Sequence, residues 1–233
     1  MYGSPKIWQR LRQQGEGCGK HHIARLMRQE GLRGIPAPTS WKQRRAGARP
    51  AGITNQLARD FTAPAPNAIW VTDITYIPTQ EGWFYLAVVL DLFSRQVIGS
   101  SMQPQLTRDL VIQAVLMAVW QKKGPQAVIL HSDRGTQYTS QEFQAFLRAH
   151  GIVSSMSGAG NCYDNAVAES FLGLIKRERV HRRQYRTRAD ARADVFDYIE
   201  GFYNGQRAHS FTQGVAPRIF GERYHQKSSL TCP

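Results

Sequence analysis

Cysteine is scarce in this 233-residue chain, acidic residues are outnumbered by basic ones, and long apolar runs are missing. Each shortage excludes something. Cys18, Cys162 and Cys232 are odd in number and scattered, so they make no disulfide framework and suit a reducing compartment. His21 and His22 stand near Cys18, but no second cysteine lies at zinc-site spacing. No stretch is apolar enough to span a bilayer, and Met1-Tyr2-Gly3-Ser4-Pro5-Lys6 lacks the apolar region of a secretory leader. A cytoplasmic protein without a membrane partner is expected. With 42% hydrophobic and 20% charged residues the chain is globular rather than disordered, and its length allows one sizeable core plus a small module.

What is abundant is positive charge, and it is unevenly placed. The net charge is +13. Residues 1–60 hold 12 basic and 3 acidic side chains, giving +9. Residues 61–169 hold 6 and 8, giving −2, and residues 170–233 hold 12 and 6, giving +6. Cationic flanks around a slightly acidic middle point to nucleic acid, because basic surface supplies salt-dependent affinity for phosphate backbones. A merely solvated basic surface is the plainer alternative.

The pattern divides the chain into four parts. Residues 1–33 read as two short helices, 4–14 and 19–30, around a turn at Gly15 and Gly17. Ile23, Leu26 and Met27 form the inner stripe of the second, with Lys20, Arg25 and Arg28 outside. This is a helix-turn-helix-like segment, or a helical hairpin without DNA contact. Residues 34–66 read as a basic linker broken by Pro36, Pro38, Pro50, Pro64 and Pro66. Its run Trp41-Lys42-Gln43-Arg44-Arg45 suits a DNA strand, or simply a charged linker. Residues 67–182 read as an α/β domain, and residues 183–233 as a helical tail.

Within the α/β part, strands are expected at 69–77, 84–90 and 96–101 as an antiparallel meander. A helix capped by Thr107 follows, burying Leu110, Val111, Ala114, Val115, Ala118 and Val119. Residues 127–131 form a short, fully apolar and therefore central strand. Thr139 and Glu142 suggest a capping box for a helix to about Ala149, and residues 152–155 a fifth strand. A glycine-rich loop, 157–161, leads into a last helix with Asp164 as its N-cap. This order predicts a ribonuclease-H-like mixed five-stranded sheet flanked by helices.

Three acids organise this domain: Asp73, Asp133 and Glu169, with 59 and 35 residues between them. The topology puts Asp73 on the first strand and Asp133 just past the fourth, its neighbour, where α/β crevices open. On the last helix, Val167, Phe171, Leu174 and Ile175 share one side, while Glu169, Gly173 and Lys176 share the other. Gly173 leaves room there for a ligand. Clustered carboxylates repel unless a cation joins them. In a DNA-binding background the expected cation is Mg2+ or Mn2+, two ions roughly 3.5–4 Å apart, serving phosphodiester chemistry. Lys176 would steer a phosphate. Asp91, Asp109 and Glu142 fit ordinary structural roles, and His131 either touches substrate or packs beside the site.

These motifs carry a resemblance. Trp70-Val71-Thr72-Asp73-Ile74-Thr75-Tyr76, Leu90-Asp91-Leu92-Phe93-Ser94-Arg95, His131-Ser132-Asp133-Arg134-Gly135-Thr136-Gln137-Tyr138 and Tyr163-Asp164-Asn165-Ala166 before Glu169-Ser170-Phe171 resemble the core of bacterial transposases of the insertion-sequence-three type. These belong to the DDE integrase-core superfamily, which includes retroviral integrases. The lysine seven residues after Glu169 completes the pattern. The resemblance implies a metal-dependent strand transferase with Asp73, Asp133 and Glu169 as catalytic, metal-binding acids. It implies cleavage that frees a 3′-hydroxyl, then joining of that hydroxyl to another strand. Element terminal inverted repeats and a target duplex would be the DNA partners of a homo-oligomer. DNA contacts are expected from Lys176, Arg177, Lys20, Arg25, Arg28, Arg44, Arg45 and Arg207, though Arg207 and its tail segment could instead pack on the core. No His-His-Cys-Cys zinc module is present. Family members usually carry more residues before Tyr2, so a downstream-frame product, a truncated copy or a mis-set start is expected, with an upstream-frame DNA-binding protein as partner. The competing expectations are a non-catalytic DNA-binding relative and a nuclease for RNA–DNA hybrids.

Overall fold

The computed structural model describes residues 2–35, 52–122, 127–158 and 162–230. The basic run from Trp41 to Arg45, with the expected DNA contacts Arg44 and Arg45, lies outside the described residues, as does 159–161 of the glycine-rich loop.

Five strands form one mixed sheet: β1 (Ile69–Thr79), β2 (Gly82–Asp91), β3 (Val97–Gln103), β4 (Val128–Ser132) and β5 (Ile152–Met156), in the order β3-β2-β1-β4-β5. β1, β2 and β3 are an antiparallel meander, while β4 and β5 run parallel to β1. The helices are α1 (Ser4–Gln13), α2 (Lys20–Gln29), α3 (Arg108–Gln121), the single turn α4 (Thr136–Thr139), α5 (Gln141–Ala149), α6 (Ala166–Glu178), α7 (Arg188–Phe196) and α8 (Pro217–Leu230). A π-helical segment, 197–204, continues α7. No described helix is long and apolar enough to cross a membrane.

Strand alternation sorts the side chains into two cores. On one face, Trp70, Ala87 and Val89 meet α3 and α5 through Leu110, Val111, Ala114, Phe143 and Leu147. On the other, Val71, Ile77, Leu86 and Val88 meet α6 and the tail through Phe171, Ile175, Val195 and Tyr198. Gly99 on β3 is what lets α3 lie so close: a Cβ there would stand 2.1 Å from the Ala114 carbonyl oxygen. Lone polar groups close the β3 edge. The Asn204 amide accepts from Val97 N at 3.0 Å and donates to Val97 O at 2.9 Å, and Arg192 Nη2 donates to Met102 O.

Several local expectations need correction. Thr107 sits at the α3 N-terminus, but its hydroxyl bonds Gln103 rather than the helix backbone. The cap of α5 is Ser140, which accepts from Phe143 N, and Glu142 pairs with Arg108 at 2.8 Å. Leu26 is exposed, so the buried stripe of α2 reduces to Ile23 and Met27. Residues 53–61 lie against the sheet domain: Met156 N donates to Thr54 O, Gln56 N to Ser155 Oγ, and Leu57 is buried.

The N-terminal helices dock on the tail. Ala208 N donates to the Tyr2 hydroxyl at 2.9 Å, and Arg10 Nη1 to Gln206 O at 2.6 Å. Lys20, Arg25 and Arg28 are exposed on α2.

Candidate active site

The last parallel pair between β1 and β4 is Val71 with His131. Counting two residues on from each member reaches Asp73 on β1 and Asp133 just past β4. Both aspartates therefore lie just beyond the last β1–β4 pair, at the same end of that ladder. Beyond that pair β1 continues only along its antiparallel neighbour β2, so the crevice opens at the switch of strand direction. Val71 and Ile77 face the core under α6, and alternation turns Asp73 the same way.

Each acid is held locally. Asp73 is 4% exposed, and one of its oxygens accepts from Ile74 N at 2.7 Å. Asp133 Oδ1 accepts from Gly135 N at 2.9 Å. A Cβ on Gly135 would come within 3.0 Å of that oxygen, so glycine permits the tight curl around the carboxylate. Tyr138 links the two. Its buried phenol lies 3.2 Å from Thr72 Oγ1. Burial, then the negative charges of Asp73 and Asp133, push its pKa well above the ordinary tyrosine value. One phenol thus feels both acids.

Two contacts set how α6 lies along β1. At its start, Asn165 Nδ2 donates to Thr72 O at 3.1 Å. Near its end, Lys176 Nζ stands 4.1 Å from the centroid of the Tyr76 ring. Glu169, in the first turn of α6, lies between these two contacts. Tyr76 also meets Trp83 edge to face, with centroids 5.0 Å apart, and both rings are about half exposed.

The wheel drawn for α6 is partly revised. Its buried stripe is Ala168, Phe171, Leu172 and Ile175, whereas Val167 and Leu174 are half-buried. The space beside Gly173 is taken by Arg177, whose Nη1 would lie 3.1 Å from an added Cβ. Asp164 is not the N-cap. That position is Asn165, while Asp164 is buried and accepts from Asn55 Nδ2, Arg59 Nε and Gly158 N. It fastens the 53–61 segment to the start of α6.

His131 is fully buried, with Nδ1 2.9 Å from Ser155 Oγ and Nε2 3.2 Å from Ser157 Oγ, so it packs beside the site. Asp91 accepts from Asn67 N, Ser94 N and Ser94 Oγ, a structural role at the end of β2. Arg207 is 5% exposed, and its guanidinium is ion-paired with Glu178 at 2.9 Å. Asn165, Tyr138 and Tyr76 had no signal in the periodicity. Each stood inside a recognised motif, but only the fold shows what it touches.

Comparison with known proteins agrees with this geometry. Residues 63–162 and 169–223 match two models described as integrase core domain, and residues 1–38 match an HTH-like domain. The transposase InsF of insertion sequence IS3A from Escherichia coli K12 is 45% identical over 222 residues, covering 94% of this chain and 76% of that protein. The 31 kDa protein of insertion element IS600 from Shigella sonnei is 35% identical over 228 residues, covering 98% and 84%. Among solved structures, the simian T-cell lymphotropic virus intasome in complex with PP2A regulatory subunit B56 gamma superposes with a TM-score of 0.56 at 18% identity, covering 88% of this chain and 67% of that one. The HTLV-2 integrase catalytic core domain in complex with magnesium gives 0.53 at 22% identity, covering 68% and 99%. The viral likenesses show the fold. The bacterial ones, spanning both the helical segment and the sheet, show that this chain belongs to the IS3 family of transposases, whose work is DNA transposition.

Proposed function

We propose that Asp73, Asp133 and Glu169 are the catalytic acids of this transposase and that they hold Mg2+ or Mn2+. The observation that supports the reading is that Asp73 and Asp133 both follow the last β1–β4 pair, while α6, with Glu169 in its first turn, is tied to β1 through Asn165 and Lys176.

The donor set fits such an ion. All three side chains offer hard oxygen ligands, and the Asn165 Oδ1 next to β1 is buried without a hydrogen-bond partner among the described residues. No three His, Cys, Asp or Glu side chains among the described residues stand close enough to form a complete cage. A magnesium ion would draw on one or two of these carboxylates and fill its remaining positions with water and substrate phosphate. A bound ion would activate the attacking oxygen and stabilise the leaving one; two ions are the arrangement we favour.

The protein's own part is placement. Gly135 N–H fixes one oxygen of Asp133, and Asn165 ties the start of α6 to the strand bearing Asp73. Lys176, steadied on the Tyr76 ring, directs a phosphate towards the acids, with Arg177 one residue on. Exposed Lys20, Arg25 and Arg28 on α2 contact the DNA of the element ends. The substrates are the terminal inverted repeats and a target duplex. The working form is a homo-oligomer on DNA in the bacterial cytoplasm, with an upstream-frame DNA-binding protein as possible partner.

The test is strand transfer in magnesium on a labelled duplex with a pre-cut terminus of the parent element. Wild type should join ends, and Glu169→Gln should join them roughly 1,000-fold more slowly, the scale of losing several kcal/mol of transition-state stabilisation. Equal joining by both proteins would overturn the assignment.

A further inference from the structure

On α6, a second face lies about 100° around from Glu169 and carries Val167, Ser170, Leu174 and Arg177. It borders a half-open cavity of about 690 Å³ that is also lined by the N-terminal segment and the tail. The charges around this cavity are one-sided. Lys6 enters from α1, Arg95 from the turn after β2, Arg177 from α6 and Arg207 from the tail, together with His209. The one lining carboxylate is Glu178, and it is already ion-paired with Arg207. Asp91 faces Arg95 from behind, but Ser94 and Asn67 occupy its oxygens.

Like-charge crowding shows at Lys6 and His209, and burial at Arg95, whose Nη2 donates to Phe61 O. Arg95 is 5% exposed, and its Nη1 has no hydrogen-bond partner among the described residues, although its Cζ lies 3.8 Å from the Phe211 ring centroid. The Lys6 amine is pushed below its ordinary pKa by burial and by the Arg207 charge. His209 is pushed down to about 4 by burial, then by Arg207, Arg95 and Lys6. Gathering like charges in a partly closed space is costly unless a counter-charge occupies it.

We propose that this cavity is a phosphate site, and that it receives a backbone phosphate of the DNA strand running past α6 from the acidic crevice. The chemistry requires a compact anion with several acceptor oxygens, which guanidinium groups bind best. The source is assigned to DNA because Ser170 brings the cavity to the turn of α6 that bears Glu169, and Arg177 continues it to the far end of the helix. The proposal rests on the reading of Glu169 as a catalytic acid. It would tie the N-terminal helices, the core helix and the tail to one point on the substrate.

The experiment uses the full chain without divalent cation, so that binding is read apart from catalysis. Lys6 and Arg177 are changed together to Gln, since Arg95 and Arg207 are too buried to alter safely. Circular dichroism checks the fold of the variant. Affinity for an element-end duplex should fall roughly 10-fold, and the slope of log affinity against log salt should shrink by about 1 to 2. In parallel, the His209 ring is followed by NMR, assigned with His209→Gln. Inorganic phosphate should raise its pKa from about 4 towards the ordinary 6.5, and the DNA duplex should do the same, whereas chloride should not. An unmoved His209 with unchanged DNA affinity in the double variant would sink the site. A response to inorganic phosphate but not to DNA would overturn the assignment to DNA. Should Glu169→Gln join ends normally while the double variant still loses affinity and His209 still responds to DNA, the catalytic assignment falls and the phosphate site stands.

Discussion

One helix separates two opposite electrostatic environments. The first turn of α6 carries Glu169, and we propose that it faces the crevice of Asp73 and Asp133, in the part of the chain whose net charge is −2. About two turns further along, and rotated by roughly 80°, the helix presents Arg177 to a cavity also lined by Lys6, Arg95 and Arg207. The lesson is that a single helix of a strongly basic chain can carry an acid and a base into different surroundings.

The comparison breaks most sharply on the acidic side. Asp73→Asn should abolish strand transfer, by roughly 1,000-fold or more, while DNA affinity measured without metal changes less than about 3-fold. A parallel collapse of affinity would mean that Asp73 is structural.

On the cationic side, stability should suffer before activity. Burial raises the Glu178 pKa, but hydrogen bonds from Arg207 and Tyr198 outweigh it and leave the carboxyl below its ordinary value. Glu178→Ala removes the partner of a buried guanidinium and should cost about 3 kcal/mol in chemical denaturation. A loss below about 1 kcal/mol would show that Arg207 finds another partner.

The third effect is pH-dependent. The folded-state pKa of His209 lies below its ordinary 6.5, at about 4. Between those values the unfolded chain binds a proton that the folded chain refuses, so stability is present above pH 6.5 and drains away as pH falls towards 4. His209→Gln should flatten this slope, removing roughly 2 kcal/mol of the difference between pH 7 and 4.5. Identical slopes for the two proteins would place the titration elsewhere.

The smallest effect sharpens the boundary. Tyr76→Phe keeps the ring under Lys176 and should leave DNA-end affinity unchanged, whereas Tyr76→Leu should weaken it about 3- to 5-fold through loss of the cation–π contact. If both variants bind like wild type, Lys176 is positioned by something other than the ring.

Much of the acidic side was legible in the sequence. Alternation and apolar runs placed the strands, and the strand order put Asp73 on β1 and Asp133 just past its neighbour β4. The errors lie where local signals compete. Ser140, not Thr139, caps α5 because the chain is still closing the turn of α4 at Thr139, and Arg108 draws Glu142 away. Asp164 looked like a cap, but its oxygens are claimed by residues more than 100 positions earlier. The cavity was invisible for the same reason. Lys6 and Arg207 are some 200 residues apart in sequence, and no periodicity joins them.

The Asn204 amide, bonded to both backbone groups of Val97, does for the sheet what a next strand would do. With Arg192 on Met102 it acts as a stopper on lateral growth. The tail is therefore a guard as well as a support. A chain cut short before residue 204 would keep all three acids yet bare a hydrogen-bonding edge, and its copies would be inclined to zip together rather than assemble on DNA.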